Sequence, residues 1–213
     1  MYNIKFIASY APPKTMGGSI LESSTLAECN TYLKSLKRFT VDTETNSLDP
    51  HQTKLIMVQV GDLKNQFVID WRDIKTFKPT DVAEFISILN DKDKEKHGVN
   101  LAYDYKIMKH HLGIEMTNLK DSMIAEMILK CGLSFKKGRY SLAGMTKKYL
   151  GWEFNSPQMT LFNPIASKET RTEFVTIGDA PFNLRQVEYG AGDVIWPLLI
   201  WDKQVPQIEE FNL

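Results

Sequence analysis

The sequence has few of the features that mark specialised classes of protein. It contains two cysteines, Cys29 and Cys131, and neither stands in a Cys-X-X-Cys pair or a Cys/His cluster. A disulfide framework and a thiolate zinc site are therefore not expected. No apolar run approaches the ~18 residues of a membrane span, and the N-terminus has no apolar core typical of a signal peptide. These absences predict an intracellular, cytoplasmic protein that does not engage a membrane.

The sequence also has no excess of either charge, because 26 Lys and Arg balance 26 Asp and Glu. No protein-wide positive field is present, so binding to nucleic acid would need a local basic patch. The chain has 213 residues and is 43% hydrophobic, which is enough to bury a core. We predict one domain over 1–213, with a loosely structured lead-in at 1–22 and the functional motifs within 39–194.

The periodicity predicts an α/β chain with a central mixed sheet flanked by helices. The predicted strands are Asn3–Ser9, Phe39–Thr45, and a hairpin of Leu55–Val60 and Gln66–Trp71. The first predicted helix is capped by Ser23 or Ser24 and runs to Lys37. Further helices are predicted at 81–89 (capped by Thr80), 103–111, 121–129, 141–150 and 184–201, with a charged loop at 91–96 and irregular structure at 152–182.

Three short acidic motifs occur in order along the chain. Asp42 and Glu44 lie two apart in a predicted strand, so both face one side, where paired carboxylates suit Mg²⁺ or Mn²⁺. Asn100 and Asp104 are four apart. Each motif alone has a plain structural interpretation, such as a strand end in water or a helix cap.

The third motif places Tyr189 and Asp193 four residues apart in the last predicted helix, so they share one face. Gly190, Ala191 and Gly192 lie between them. Two glycines inside a helix cost roughly 1 kcal/mol each relative to alanine. Close packing of this helix, or a substrate against its backbone, would explain that cost.

Together the motifs DxE, NxxxD and YxxxD resemble those of the DEDD superfamily of 3′→5′ exonucleases, in the branch whose third motif contains tyrosine. The sequence is most similar to the proofreading exonuclease domain of DNA polymerase I type (family A) enzymes, and next to the RNase D group. The segments 121–129 and 140–151 resemble helices that follow the second motif in these proteins. The resemblance covers about residues 23–203 and implies an RNase H-like (DnaQ-like exonuclease) fold.

The resemblance implies a phosphodiester hydrolase with two divalent cations, Mg²⁺ or Mn²⁺, which releases 5′-mononucleotides. The implied metal ligands are Asp42, which bridges both cations, Glu44 and Asp193 on the nucleophile side, and Asp104 on the second cation. Tyr189 would orient the attacking water. Thr45 and Leu48 match positions that contact the terminal nucleotide, and Asn100 a position near the scissile one. Core packing is the alternative for Leu48.

The segment 130–148 carries six cations and no acid: Lys130, Lys136, Lys137, Arg139, Lys147 and Lys148. Such a patch would bind phosphates without sequence preference, although a solvated face is the alternative. Phe154, Phe162 and Phe174 are candidates to line a strand channel or simply to pack. His110 and His111 are not expected to be catalytic, because a tyrosine occupies the third motif.

The expected function is a 3′→5′ exonuclease that acts on a single-stranded or frayed DNA 3′ end, in replication proofreading beside a separate polymerase. An RNase D-like exoribonuclease is the second interpretation, since the metal chemistry is identical and only contacts to the 2′-hydroxyl separate the two. A non-catalytic nucleic-acid-binding or scaffold domain with the same fold is the third.

Overall fold

A computed structural model describes residues 3–14, 20–131, 138–151 and 172–211. Within these ranges seven strands form one sheet: β1 (Asn3–Ile7), β2 (Ile20–Ser23), β3 (Arg38–Thr45), β4 (Leu55–Gly61), β5 (Gln66–Asp70), β6 (Glu95–Gly98) and β7 (Leu119–Asp121). The helices are α1 (Leu26–Ser35), α2 (Pro79–Asn90), α3 (Leu101–Leu112), α4 (Ser122–Leu129), α5 (Leu142–Leu150) and α6 (Leu184–Glu210), with a 3-10 helix at Trp71–Thr76. Residues 172–176 form a further short helical segment.

The strand order across the sheet is β2-β1-β5-β4-β3-β6-β7. β4 runs antiparallel to both β3 and β5. β1 runs parallel to β2 and β5, and β6 runs parallel to β3 and β7. The predicted mixed sheet flanked by helices is therefore confirmed. Every residue of β4 is buried, which identifies it as a central strand covered on both faces.

Two cores cover the two faces of this sheet. The first gathers side chains beneath α1 and α2, including Phe39, Val58 and Phe85. The second lies beneath α6 and the 172–176 segment, and Met57 and Phe174 belong to it. Neighbouring residues of β4 thus serve opposite cores, as the alternation of strand side chains requires.

β3 pairs with β4 so that Asp42 lies opposite Gln59 and Glu44 opposite Met57. The register then shifts between Glu44 and Thr45. A bulge of this kind bends the strand and re-aims the residues that follow. It therefore changes the direction of Thr45, the last residue of β3 and the first after the acidic motif.

The N-terminal segment is more ordered than the predicted lead-in. Ile4 and Phe6 are buried, and β1 pairs with both β5 and the unpredicted β2. The first helix is capped by Thr25 rather than by Ser23 or Ser24, because Thr25 and Glu28 form a capping box, which satisfies amides at the helix start. Lys78, not Thr80, occupies the cap position of α2.

The charged loop predicted at 91–96 ends inside β6, because Glu95 and Lys96 belong to that strand. Lys96 within it is fully buried, yet its ammonium donates to the backbone carbonyls of Asp91 and Lys94, the latter at 3.0 Å. The apolar stem of lysine can pack while its charged end finds oxygen. The last helix is also longer than expected, because α6 continues past Pro197 and Pro206.

Candidate active site

Three carboxylates meet where β3 faces α6. Asp42 and Glu44 project from β3 and Asp193 from α6, and one oxygen from each lies within 4.8 Å of the others. All three side chains are half-buried. Hard carboxylate oxygens are the donors that Mg²⁺ and Mn²⁺ prefer, so this donor set fits the divalent cations that the sequence predicts.

α6 reaches this position because Gly190 lets it approach the sheet. A Cβ at Gly190 would lie 2.8 Å from Met57 Sδ and 3.0 Å from Gln59 Cγ. Both side chains belong to β4, next to the strand that carries the first motif. The close packing predicted from the small residues of the third motif is therefore confirmed, and a larger residue at position 190 would push Asp193 away from Asp42.

Tyr189 lies one helical turn before Asp193, and the two line the same pocket as Asp42 and Glu44. The volume of this pocket is about 440 Å³. The ring of Tyr189 lies 6.3 Å from that of Phe174, which is fully buried. The third motif therefore presents both of its side chains to the carboxylate cluster.

Asp104 lines the same pocket but is not a member of the cluster. Its side chain is 3% exposed, and it accepts a hydrogen bond of 2.6 Å from Thr43 Oγ1. Burial raises the pKa of the Asp104 carboxyl, while the Thr43 hydrogen bond lowers it less. The structure thus gathers three of the four predicted carboxylates and holds the fourth on the pocket wall.

Asn100 also lines the pocket, and it lies directly before α3, as the helix-cap interpretation of this motif expects. It is the cap residue of α3, with φ of 63° in the left-handed region, which asparagine tolerates better than most residues. Its backbone amide donates to Asp121 at 3.0 Å, and that of Leu101 donates to the same carboxylate at 2.8 Å. Asp121 also accepts from the amide of Met123 at the start of α4.

The turn after β3 forms one side of the pocket mouth. The Tyr103 hydroxyl donates to the Ser47 carbonyl at 2.9 Å and shares a 2.5 Å hydrogen bond with Thr45 Oγ1. Leu48 is 84% exposed, so the core-packing interpretation of this residue is wrong. Thr45 and Leu48 therefore line the mouth of the pocket.

At least one cation of the basic patch predicted at 130–148 forms an ion pair within the fold. The ammonium of Lys148 lies 2.8 Å from both carboxylate oxygens of Glu126, and Glu126 is fully buried. Lys136, Lys137, Phe154 and Phe162 lie outside the described residues. Phe174 is a core residue, which agrees with the packing interpretation.

Sequence reasoning missed three residues that organise this site, namely Thr43, Tyr103 and Asp121. Asp121 carried a readable signal, because an aspartate directly before a helix is a cap, but its reach to α3 depends on the tertiary fold. The hydroxyl contacts of Thr43 and Tyr103 have no counterpart in sequence periodicity.

The sequence profile of the 3′–5′ exonuclease family matches residues 19–209. None of the proteins with curated functions matches the chain. Among the helices that the structure describes, none is both long and apolar enough to cross a membrane.

Several solved structures have the same fold. The chain is similar to Brucella melitensis NrnC, with 17% identity, a TM-score of 0.68, and coverage of 99% of this chain and 84% of NrnC. A structure of NrnC bound to pGG is also similar. Trypanosoma brucei RNase D in complex with RNA U12 gives 18% identity, a TM-score of 0.71 and coverage of 96% and 63%.

Escherichia coli RNase D, an exoribonuclease involved in structured RNA processing, gives 20% identity and a TM-score of 0.69. The match covers 88% of this chain and 44% of that enzyme, so the chain spans less than half of its length. The RNase H-like, DnaQ-like exonuclease fold expected from the motifs is thereby confirmed.

Proposed function

The chain belongs to the 3′–5′ exonuclease family, a group of hydrolases that use two divalent cations, and on this premise we propose that it removes nucleotides from the 3′ end of single-stranded RNA. The observation that carries the proposal is the cluster of Asp42, Glu44 and Asp193 beside Tyr189. Support for RNA comes from structurally similar proteins that are named as RNase D, one of them in complex with RNA.

In this proposal Asp42, Glu44 and Asp193 hold the two cations. Bound divalent cations would lower the pKa of the attacking water and neutralise charge on the leaving oxygen in an in-line displacement. The resemblance of the first motif assigns Asp42 as the ligand that both cations would share. Asp104 is assigned to the second cation, with the Thr43 hydroxyl fixing its orientation.

Tyr189 is assigned to orient the attacking water. It shares the pocket with the carboxylate cluster, and its ring packs near the buried ring of Phe174. The hydroxyl of a tyrosine can both donate and accept a hydrogen bond, so the proposed contribution of Tyr189 is to position the water. Leu48 would contact the terminal base, since apolar contact with a base face tolerates any sequence. Thr45 would also contact the terminal nucleotide, and Asn100 would lie near the scissile one.

DNA proofreading is the second candidate. The three motifs resemble those of the polymerase I type exonuclease domain, and the metal chemistry would be identical on DNA. In that case the substrate is a frayed primer end and a separate polymerase is the expected partner. The two candidates differ in whether the 2′-hydroxyl is required.

The test uses RNA and DNA oligonucleotides of the same sequence, labelled at the 5′ end, with Mg²⁺ or EDTA. The expected result is a Mg²⁺-dependent ladder that shortens from the 3′ end and is stronger on RNA. Asp42→Asn should lower the rate on the order of 10³-fold, since metal-assisted charge stabilisation contributes several kcal/mol to the barrier. Asp93→Asn, an exposed turn residue, is the matched control.

Equal or faster shortening of DNA would move the assignment to the second candidate. No shortening of either substrate, with Asp93→Asn and wild type equally folded, would contradict the proposed function. Normal cleavage by Asp42→Asn would contradict the assignment of the cation site.

A further inference from the structure

The helix α4 presents its large apolar side chains to solvent. Ile124, Met127 and Ile128 are 44%, 38% and 48% exposed, whereas the side of the same helix that packs inward carries Ser122 and Glu126, both fully buried. A surface helix normally buries its apolar stripe and exposes its polar side. In α4 this arrangement is reversed, and neighbouring apolar side chains that stay exposed mark a surface for contact.

Polar contacts on the inner side of α4 fix this orientation. The buried carboxylate of Glu126 lies 2.8 Å from the ammonium of Lys148, and the Ser122 carbonyl accepts a 2.9 Å hydrogen bond from Gln204 Nε2. A rotation of α4 that buried its isoleucines would separate Glu126 from its counter-charge, which is strongly destabilising. The apolar side of α4 therefore stays outside in the single chain.

An apolar groove of about 720 Å³ lies beside this side of α4. Ile124 and Ile128 form one wall, and Tyr105 of α3 and Trp201 of α6 are among the residues that line the rest. Asp121 is the one charged residue among the described lining residues, and its carboxylate already accepts backbone amides of α3 and α4. The groove therefore suits the apolar side chains of another protein surface.

A ridge and this groove lie side by side on the same face of the molecule. The ridge consists of Ile124, Met127 and Ile128; the two isoleucines belong to the wall of the groove, and Met127 lies outside its lining. A two-fold axis beside the ridge places the ridge of one copy against the groove of another, and the same contact then occurs twice. Interfaces between identical chains are also more apolar than other protein interfaces. The shape of this face therefore matches a second copy of the chain.

The charges around the groove agree with the same occupant, because both signs are present. The ammonium of Lys120 lies 6.0 Å from the centroid of the Trp201 ring, and Glu209 directly follows Ile208, which lines the groove. Neither Lys120 nor Glu209 forms an ion pair with another residue in the described ranges. The formal net charge of the chain is zero, so two copies experience no net repulsion as they approach.

We propose that two copies of the chain associate through this face, with the α4 ridge of each copy in the groove of the other. The proposal concerns the assembly of the protein and does not depend on the proposed function. Because Leu101 and Ala102 line the groove, the second copy would contact the start of α3, the helix that carries Asp104 on the wall of the candidate active site.

The test is sedimentation equilibrium of the full chain at concentrations from about 1 to 200 μM, which bracket dissociation constants in the micromolar range. The mass of the wild type should rise from 24.4 kDa toward twice that value as the concentration increases. The association should persist in about 0.5 M NaCl, because salt screens charges and leaves apolar contact in place.

Two variants place charges of opposite sign on the ridge. Ile124→Glu and Ile128→Lys should each raise the dissociation constant at least about 100-fold, because a two-fold interface would bury the unpaired charge twice. Leu63→Glu is the matched control, since Leu63 is 46% exposed, lies in the turn between β4 and β5 and does not line the groove. Its dissociation constant should equal that of the wild type. Thermal unfolding midpoints check that all four proteins are folded.

A wild type that stays monomeric at every concentration would overturn the proposal and leave the groove to a partner with a different sequence. Self-association that both Ile124→Glu and Ile128→Lys retain would also overturn it, because the contact would then use another surface. An equal loss of association in Leu63→Glu would do the same, since the effect would not be specific to the ridge. Each of these results leaves the exonuclease assignment intact.

Discussion

Two sets of acidic side chains reach into the interior of this molecule, and they face different neighbours. Asp70, which is 1% exposed, binds the guanidinium of Arg72 and accepts a 2.8 Å hydrogen bond from the Tyr10 hydroxyl. Glu126 is fully buried and binds Lys148 in the same manner. Each of these carboxylates has its counter-charge supplied by the chain.

Asp42, Glu44 and Asp193 instead face one another, with oxygens within 4.8 Å. Like charges this close disfavour the ionised form and lower the stability of the fold unless cations join them. The role of an acid in the interior is therefore indicated by its neighbours rather than by how deeply it is buried. An acid opposite a cation of the chain stabilises the structure, whereas acids gathered together form a set of oxygen donors that suits a divalent cation.

The largest effect that separates the two sets is on stability. Asp70→Ala should lower the free energy of unfolding by about 3–5 kcal/mol, because it leaves the largely buried Arg72 without its partner. Asp42→Asn should leave the free energy of unfolding unchanged or raise it, because it removes repulsion. Urea unfolding of both variants gives the two values, and a loss below about 1 kcal/mol for Asp70→Ala would contradict the comparison.

Stabilisation of the fold by bound Mg²⁺ is the effect of intermediate size. Mg²⁺ at 100 times its dissociation constant should stabilise the wild type by about 2.7 kcal/mol. The same concentration should have little effect on Asp42→Asn. Lys148→Met should keep the Mg²⁺ response of the wild type, because Lys148 pairs with Glu126 and not with the carboxylate cluster. Thermal unfolding with and without Mg²⁺ measures this. An equal Mg²⁺ response in Asp42→Asn would place the cation elsewhere.

The smallest expected effect is the dependence of the free energy of unfolding on pH. His97 is fully buried beside Glu95, with the Trp201 ring 5.5 Å away, and burial lowers its pKa from 6.5 to about 4. The unfolded chain therefore binds more protons below pH 6.5. The stability of the wild type should fall by up to about 2 kcal/mol between pH 7 and pH 5.

The matched variant for this prediction is His97→Gln. It should lose the part of the pH dependence that His97 contributes, although it starts from a lower stability. Urea unfolding at both pH values gives the difference. A pH dependence equal to that of the wild type would show that other groups control the acid sensitivity of the fold.

The sequence predicted the centre of the molecule better than its edges. β3, β4 and β5 were found because each has a strong apolar pattern and a turn that fixes the pairing. The pair Asp42 and Glu44 followed from strand alternation, and the close approach at Gly190 from the small residues of the third motif. All of these depend on local spacing, which a sequence displays directly.

The edge strands were missed because their stability comes from partners distant in sequence. β2 has little buried apolar surface and exists through its pairing with β1. In β6, one strand in from the other edge, Glu95 and Lys96 were assigned to a charged loop, since periodicity counts the ammonium of Lys96 and not its buried stem. Likewise the contact of Asp104 with Thr43 joins residues 61 positions apart, and the orientation of α3 decides it.

One carboxylate has a consequence for the motions of the site. Asp121 accepts from the first amides of α3 and from those of α4, so neither helix can fray at its start without releasing an acceptor that the other uses. The two helix starts should therefore open as one cooperative unit. In hydrogen–deuterium exchange the amides of Asn100, Leu101 and Met123 should share one protection level, and Asp121→Ala should lower all three together. Asp121 lies outside the pocket, yet it holds the start of α3, the helix that carries Asp104 on the pocket wall.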